Sequence, residues 1–293
     1  MRNLETLNAR ETPLAILSIC LGVAFLMAND ALAKLLTDRY APIQIIFVRN
    51  LIAVPIIAAI IVSSLGAHAL RTRHLRVHAF RGMLMVTGGW LYFVGLMHLP
   101  LADATSLVFS APIFITALSM PLLGEHVGWR RWGAVLLGFV GVLVIVRPGG
   151  ATFQLASLLP IGTAVFYALF MISARWIDRS ERMITMMLFA MLFPLLYAAP
   201  AAFMVWTPVQ PTDFGLFLAA AVLGSLALAL IGQAFRMAPA AIVAPFDYTA
   251  LVWAAALGWL IWGDLPGFWT IVGAAIIVCS GIIIILREAR QPE

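Results

Sequence analysis

Apolar residues occur along the chain in runs of about 20, the length that an α-helix needs to cross the hydrocarbon core of a membrane. Short polar or proline-containing stretches separate these runs, and none of them is long enough to form a soluble domain. The pattern predicts an all-α integral membrane protein with ten transmembrane helices. The predicted spans are 13–36, 43–65, 78–98, 101–123, 130–147, 155–177, 183–206, 214–236, 240–262 and 267–287.

Composition indicates the same class of protein. Hydrophobic residues make up 63% of the chain and charged residues only 11%, whereas a soluble domain carries roughly 25% charged residues on its surface. The net charge of +5 would suit a nucleic acid, but the basic residues form short clusters between apolar runs. Membrane orientation explains this distribution, and no nucleic-acid partner is expected.

The basic residues are distributed unevenly between the two sides of the predicted membrane. With the N-terminus in the cytoplasm, 14 of the 18 Lys and Arg residues fall on the cytoplasmic side and two on the outer side. This bias predicts cytoplasmic termini in a multi-pass protein of a bacterial-type cytoplasmic (inner) membrane. The basic connection at 71–81, which includes His78 and Arg81, is expected to lie on anionic lipid headgroups.

The two halves of the chain match each other at an offset of 139 or 140 residues. The matching pairs include Gly22 and Gly162, Asp38 and Asp178, Arg39 and Arg179, Pro55 and Pro194, Pro100 and Pro239, Gly124 and Gly263. These matches divide the chain into two five-helix repeats, 13–149 and 153–288. Because five is odd, the second repeat enters the membrane in the opposite orientation, and such inverted-topology repeats are typical of secondary transporters.

A shared motif closes each half of the chain. A proline begins one helix, a Gly-acidic pair ends it, and spaced glycines mark the last helix of the half. The motif residues are Pro100, Gly124-Glu125, Gly133, Gly138 and Gly141, and then Pro239, Gly263-Asp264, Gly273 and Gly281. Each half therefore resembles an EamA domain, and the whole chain resembles a ten-helix, double-EamA member of the drug/metabolite transporter superfamily. The resemblance implies an exporter of amino acids or related metabolites, similar to aromatic and neutral amino-acid exporters.

Four polar residues in the first two spans are the first candidates for a site. Ionisable side chains inside a membrane are costly, so each needs a reason. Asp30 and Lys34 lie one turn apart and can form an i,i+4 pair, while Arg49 and Asn50 lie at similar depth in the next span. Two interpretations stay open. The four residues could bind a substrate carboxylate or form a gate, or they could be a structural ion pair that ties the spans together.

A second candidate group lies in other spans. Asp247, in the ninth span, could exchange a proton, bind a substrate amine, or hydrogen-bond the backbone freed by Pro245. Aromatic residues near predicted helix centres could line a central cavity, although each could instead pack in the core. They are Trp90, Tyr92, Tyr167, Tyr248 and Trp253. Asp103 is expected to be a solvated residue at a helix start.

Four prolines lie inside predicted spans and are expected to kink them. They are Pro55, Pro112, Pro194 and Pro245.

Motif content favours a carrier over an enzyme. The chain has no GxxxxGK[ST], HExxH or GxSxG sequence and no metal-ligand spacing of Cys or His. We predict a secondary transporter that exports a small metabolite by alternating access, without a cofactor, a metal or catalytic residues. Protons could be the coupling ion, through Asp30 or Asp247. The alternatives are an intramembrane enzyme and a lipid or drug flippase.

Overall fold

The computed structural model describes residues 2–124, 129–147, 154–177, 181–238 and 240–288. The regular secondary structure of these residues is helical and includes no β-strand, as expected where lipid offers the backbone no hydrogen-bond partner. The helices are α1 (Arg2–Leu36), α2 (Pro42–Leu65), α3 (Leu75–Leu96), α4 (Leu101–Val108), α5 (Ala111–Leu123), α6 (Trp129–Val146), α7 (Leu158–Ser173), α8 (Met183–Met204), α9 (Phe214–Met237), α10 (Ala240–Val243), α11 (Thr249–Trp262) and α12 (Phe268–Glu288). Short 3₁₀ helices occupy Ala67–Leu70, Leu155–Ser157, Ala174–Trp176 and Ala244–Tyr248.

Seven segments of the described chain are long and apolar enough to cross a membrane. They are Pro13–Leu36, Pro42–Leu65, Leu75–Leu96, Leu101–Leu123, Leu155–Trp176, Met183–Met204 and Pro211–Met237. Two shorter apolar helices, Val135–Val146 and Phe268–Ile283, belong to α6 and α12, and α11 is 14 residues long. The protein is therefore a multi-pass, all-helical membrane protein. The number of ten crossings and the side of each terminus stay predictions.

The packing of the helices repeats when the two halves of the chain are exchanged. In this exchange α1 corresponds to α7, α2 to α8, α3 to α9 and α6 to α12. The broken helix formed by α4 and α5 corresponds to the one formed by α10 and α11. Helix α1 packs on α9 and α11, as α7 packs on α3 and α5. The pairs α2–α8 and α6–α12 each map onto themselves. The packing thus agrees with two repeats, while the boundaries 13–149 and 153–288 and the inverted orientation stay predictions.

Small residues let α6 and α12 approach each other closely. A Cβ atom added to Gly141 would lie 2.8 Å from the carbonyl oxygen of Gly273, which is closer than real side chains come. Without a side chain at either position the two backbones can pack together, as is common between membrane helices.

Two helical segments are interrupted at corresponding positions. Helix α4 ends at Val108 and α5 begins at Ala111, followed by Pro112. In the other half, the 3₁₀ helix Ala244–Tyr248 contains Pro245 and precedes α11. Proline has no backbone N–H, so it removes a helical hydrogen bond. By contrast, α2 and α8 continue through Pro55 and Pro194.

Matching hydroxyl groups stabilise the two interruptions. The Ser110 hydroxyl donates to the Leu107 carbonyl at 2.6 Å, and the Thr249 hydroxyl donates to the Phe246 carbonyl at 2.7 Å. Both the donors and the acceptors are 139 residues apart. The two interruptions are therefore equivalent structures, one in each half.

Candidate functional site

A buried polar cluster lies between α1 and α2 and comprises Asn29, Asp30 and Arg49; we call it the Asn29 cluster. The Asn29 amide nitrogen donates to the Asp30 carboxylate at 2.8 Å, and Arg49 donates to the Asn29 amide oxygen at 3.2 Å. No direct ion pair within 4.0 Å joins Asp30 to Arg49 in the described chain. The amide of Asn29 therefore bridges two opposite charges and keeps them apart.

Helix α3 closes one side of the Asn29 cluster. The guanidinium of Arg49 lies 5.8 Å from the centre of the Phe93 ring. Tyr92 is buried, its hydroxyl is 3.2 Å from the Thr105 hydroxyl, and it interacts with Asp30. The predicted proximity of Asp30 and Arg49 thus has a structural basis, and Tyr92 lies beside them.

Helix α9, from the other half of the chain, covers the same cluster. A Cβ atom added to Gly224 would lie 3.0 Å from the Asn29 amide oxygen. Asn29 is only 1% exposed as a result of this packing. Helix α9 therefore covers the Asn29 side of the cluster.

Lys34 does not pair with Asp30, so that part of the sequence interpretation is wrong. Its ammonium group donates to the Leu99 carbonyl at 2.9 Å, lies 4.0 Å from the Asp264 carboxylate, and is 4.7 Å from the Trp262 ring centre. Asp30 instead interacts with its neighbour Asn29 and lies near Arg49 of α2. The long lysine side chain reaches the end of the helix, which the i,i+4 rule does not take into account.

A second cluster surrounds the interruption before α11 and comprises Asp247, Tyr167, Tyr248 and Phe109; we call it the Asp247 cluster. The rings of Phe109 and Tyr248 have their centres 5.1 Å apart. Tyr167 and Tyr248 both lie close enough to Asp247 to interact with its charge. The structure thus brings together three of the predicted candidates with Phe109, which the sequence analysis did not single out.

The remaining candidates lie outside these clusters. Asn50 is buried on α2 next to Arg49. Trp90 is 42% exposed on the same side of α3 as Met83 and Met97, and Trp253 is 43% exposed on α11. A role for these three residues in substrate binding stays a prediction.

One end of the α2–α8 pair carries a polar network built around Asp213, which we call the Asp213 network. Tyr40 donates to the Asp213 carboxylate at 2.8 Å, and Arg39 lies 3.2 Å from it. Gln44 exchanges two hydrogen bonds with the backbone of Thr207, at 2.6 and 2.9 Å. Burial raises the pKa of the Tyr40 phenol above its usual value, so this hydroxyl remains a donor at neutral pH.

The opposite end of α2 and α8 carries the Glu181 network. Glu181 accepts a hydrogen bond from Thr72 at 3.0 Å and lies 2.8 Å from the His78 ring nitrogen. Thr185, at the start of α8, donates to the Ala69 carbonyl beyond the end of α2 at 2.9 Å. Each network joins a loop of one half to the beginning of α3 or α9 in the other half.

His78 and Arg81 are buried, which corrects their predicted position on lipid headgroups. His78 stacks on Phe189 with ring centres 4.9 Å apart. Arg81 donates to the Phe170 carbonyl at 2.7 Å, and its guanidinium lies 3.9 Å from the Phe170 ring centre. Helix α3 begins three residues earlier than predicted, at Leu75, so these side chains belong to a packed helix rather than to a loop.

Asp103 also departs from its predicted setting. One of its carboxylate oxygens is buried and accepts no hydrogen bond within the described chain, so this residue is not a fully solvated helix start.

Asn29 was not among the predicted site residues, although it lies beside Asp30 in an apolar run. Ser110 and Thr249 were not among them either, although the 139-residue offset could have revealed them. Within the described residues, no group of three His, Cys, Asp or Glu side chains could hold a metal ion.

Comparison with known proteins adds a family assignment. The profile of the EamA-like transporter family matches residues 13–147 and 154–287. The chain is 32% identical over 289 residues to a riboflavin transporter of Vibrio cholerae, covering 94% of each protein. It is 29% identical over 263 residues to an S-adenosylmethionine uptake transporter of Rickettsia bellii, covering 90% of each. A pseudopaline exporter of Pseudomonas aeruginosa is 27% identical, with 91% of this chain and 94% of the exporter covered.

A solved crystal structure has a similar fold. It matches 94% of this chain and 99% of its own length with a TM-score of 0.63, at 20% sequence identity. At that identity the likeness concerns the fold alone.

Proposed function

Because the chain belongs to the EamA-like transporter family, within the drug/metabolite transporter superfamily, we propose that it is a secondary transporter which carries a small polar metabolite across the cytoplasmic membrane. The observation that carries this proposal is the Asn29 cluster. Asp30 and Arg49 lie inside a helix bundle, and a charge at the centre of a membrane helix costs roughly 2.5–3.5 kcal/mol on insertion scales. Direct pairing would offset much of this cost, yet Asn29 separates the two charges. Separated charges of this kind suit a site that a polar ligand completes.

The substrate is a small metabolite with polar or charged groups. Neutral and aromatic amino acids remain our first candidates, because a carboxylate suits Arg49 and an ammonium group suits Asp30. The relatives are named as transporters of S-adenosylmethionine, riboflavin and pseudopaline. These compounds are therefore further candidates for the substrate. Export is the proposed direction. The relatives include both an uptake transporter and an exporter, so the test measures flux in both directions.

The proposed mechanism is alternating access with ten crossings, inverted halves and cytoplasmic termini. The Asp213 and Glu181 networks lie at opposite ends of α2 and α8, and opening one while the other stays closed would expose the central site to one side at a time. The two interruptions, near Phe109 and before α11, supply places where the spans can bend. If tags on the two termini were found on opposite sides of the membrane, this topology would be contradicted.

Proton coupling through Asp30 or Asp247 is part of the proposal. Both carboxylates lie within the helix bundle, where protonation removes a charge that lipid and protein solvate poorly. If Asp30→Asn and Asp247→Asn both keep full, pH-dependent transport, these residues do not couple protons.

Flux in proteoliposomes tests the function directly. The full chain is reconstituted and supplied with labelled S-adenosylmethionine, riboflavin, or a mixture of neutral and aromatic amino acids, with and without a pH gradient. We expect saturable, protein-dependent flux of at least one compound. Ser119→Ala is a matched control, because Ser119 is buried but its hydroxyl bonds only the Thr116 carbonyl of its own helix. The absence of flux for every compound, in a correctly folded sample, contradicts the proposed function.

A further inference from the structure

The carboxylate of Asp247 is unusual because nothing in the described chain neutralises it. It accepts no hydrogen bond from the described residues and forms no ion pair with them. The other carboxylates that take part in contacts differ in this respect. Asp30 accepts from Asn29, Asp213 accepts from Tyr40, and Glu181 accepts from Thr72. An ionised Asp247 would therefore have no partner among the described residues, so its charge is available to a ligand.

Two tyrosine side chains lie near this carboxylate, and a third aromatic residue packs on one of them. Tyr167 and Tyr248 lie near Asp247, and Phe109 packs beside Tyr248 with ring centres 5.1 Å apart. The Tyr248 hydroxyl lies against Gly281 of α12, where a side chain would clash with it. The absence of a side chain at Gly281 therefore makes room for the Tyr248 hydroxyl against α12.

The combination of a carboxylate and aromatic faces selects one kind of ligand. The face of an aromatic ring attracts cations, and the attraction is strongest for weakly hydrated organic cations such as quaternary ammonium groups. A small divalent metal ion needs several oxygen ligands, and the described residues hold no group of three suitable side chains. The chemistry of the Asp247 cluster thus matches a bulky organic cation better than a metal ion.

We propose that the Asp247 cluster binds the positively charged group of an organic substrate, a sulfonium or an alkylated ammonium, and so makes the transporter selective for cationic metabolites. This inference rests on the proposed transport function and names the substrate class. Asp247 supplies the charge, while Tyr167, Tyr248 and Phe109 supply the ring faces. Helix α1 packs on both the 3₁₀ helix Ala244–Tyr248 and α11, so the same helix carries the Asn29 cluster and borders the cation site.

Matched pairs of compounds test the proposal on the purified full chain. The first pair is S-adenosylmethionine and S-adenosylhomocysteine, which lacks the methyl group that gives the sulfur its charge. The second is choline and its uncharged isostere, in which carbon replaces nitrogen. Binding is measured by calorimetry in lipid nanodiscs. We expect at least one cation to bind about tenfold or more tightly than its neutral partner, a difference of ~1.4 kcal/mol.

Variants assign that preference to the cluster. Asp247→Asn keeps the shape of the side chain and is expected to make the charged and neutral members of a pair bind equally. Tyr167→Phe keeps the ring and should retain the preference, whereas Tyr167→Leu should reduce it. Asp103→Asn, which changes another carboxylate away from the cluster, is the control and should behave like the wild type. Thermal unfolding of each variant verifies the fold.

Every result either supports or overturns the proposal. Equal binding within both pairs, a preference that survives Asp247→Asn, or the failure of both cations to bind overturns it. A purely structural Asp247 could alter stability, but it would not change the ratio of charged to neutral binding. Saturable flux of riboflavin or an amino acid together with no cation preference would overturn this inference and leave the transport function standing. Preferential binding of a cation without any flux would support the cation site and contradict the transport function.

Discussion

The two halves of the chain share their packing but differ in the buried charges of the Asn29 cluster. Asp30 corresponds to Phe170 at the 140-residue offset, and Arg49 corresponds to Leu188 at 139. Both second-half residues are buried and apolar. Phe170 instead packs beneath the guanidinium of Arg81. The same position in the fold therefore holds a polar cluster in one half and an apolar contact in the other.

The helix interruptions show the opposite behaviour. Ser110 and Thr249 are equivalent and form the same backbone hydrogen bond, and Phe109 and Tyr248 are equivalent and pack on each other. Features that serve packing and the backbone of the interruptions are thus present in both halves. Features suited to recognition occur once. Predictions can separate these two kinds of residue.

The largest expected effect comes from removing a charge that one half alone possesses. Arg49→Gln leaves Asp30 without its nearby cation, and breaking a buried charge arrangement costs roughly 3–5 kcal/mol. We expect transport in proteoliposomes to fall by about a hundredfold or more. Leu188→Met, at the equivalent position, should retain most of the flux. Wild-type transport by Arg49→Gln would mean that the charged cluster is structural.

A stability effect of intermediate size is expected where the halves pack symmetrically. In Gly273→Ala, the added Cβ would lie 2.6 Å from the Gly141 carbonyl oxygen. Such overpacking typically costs about 1–3 kcal/mol and should lower the thermal unfolding temperature in detergent. Gly133→Ala is the control, since a Cβ there meets nothing within 4 Å. Equal unfolding temperatures for the two variants would contradict the close α6–α12 contact.

The paired hydroxyl groups at the interruptions should give smaller and equal effects. Ser110→Ala and Thr249→Val each remove one hydrogen bond, worth about 1 kcal/mol. We expect both variants to change the maximal transport rate by a similar factor, because the interruptions are equivalent. The measurement is initial flux at saturating substrate. A large effect of one variant without the other would show that only one interruption bends during transport.

The smallest expected effect concerns the Asp213 network. Tyr40→Phe removes the hydroxyl that donates to Asp213 and accepts from the Gln210 backbone, so this end should open more readily. Hydrogen exchange of the Thr207 amide, which donates to Gln44 in the same network, reports the opening, and a few-fold faster exchange is expected. Burial raises the pKa of Tyr40 above its ordinary value of about 10, so the phenol stays protonated. The difference between variant and wild type should therefore be constant from about pH 6 to about pH 9. A difference that disappears within this range would contradict the assignment.

Hydropathy predicted most of the fold because lipid leaves a chain few alternatives to helices of fixed length. The ends of the first and fourth spans agree with Pro13–Leu36 and Leu101–Leu123. The interruptions were less accessible to sequence analysis. All four prolines inside predicted spans were expected to kink their helices. Of these four, only Pro112 and Pro245 lie at breaks, because neighbouring residues decide whether a helix continues.

The candidate site was predicted only in part, and the errors have a common physical origin. Depth along a helix follows from residue number, so Asp30 and Arg49 could be placed near each other. The direction in which a side chain reaches depends on partners far along the chain. Lys34 therefore reaches Asp264 rather than Asp30, and Arg81 reaches Phe170 rather than lipid headgroups. Asn29 bridges Asp30 and Arg49 only because the fold places one of these charged groups on each side of its amide.

Helix α9 has a mechanical consequence for the site it covers. It is continuous over 24 residues, which makes a rod of about 36 Å at ~1.5 Å per residue. Its first end is anchored through Asp213, and Gly224, eleven residues after Asp213, packs against Asn29. The anchor at Asp213 and the contact with Asn29 therefore lie in the same half of this helix. A tilt of α9 about its far end would release the anchor and uncover the buried charges in a single stroke.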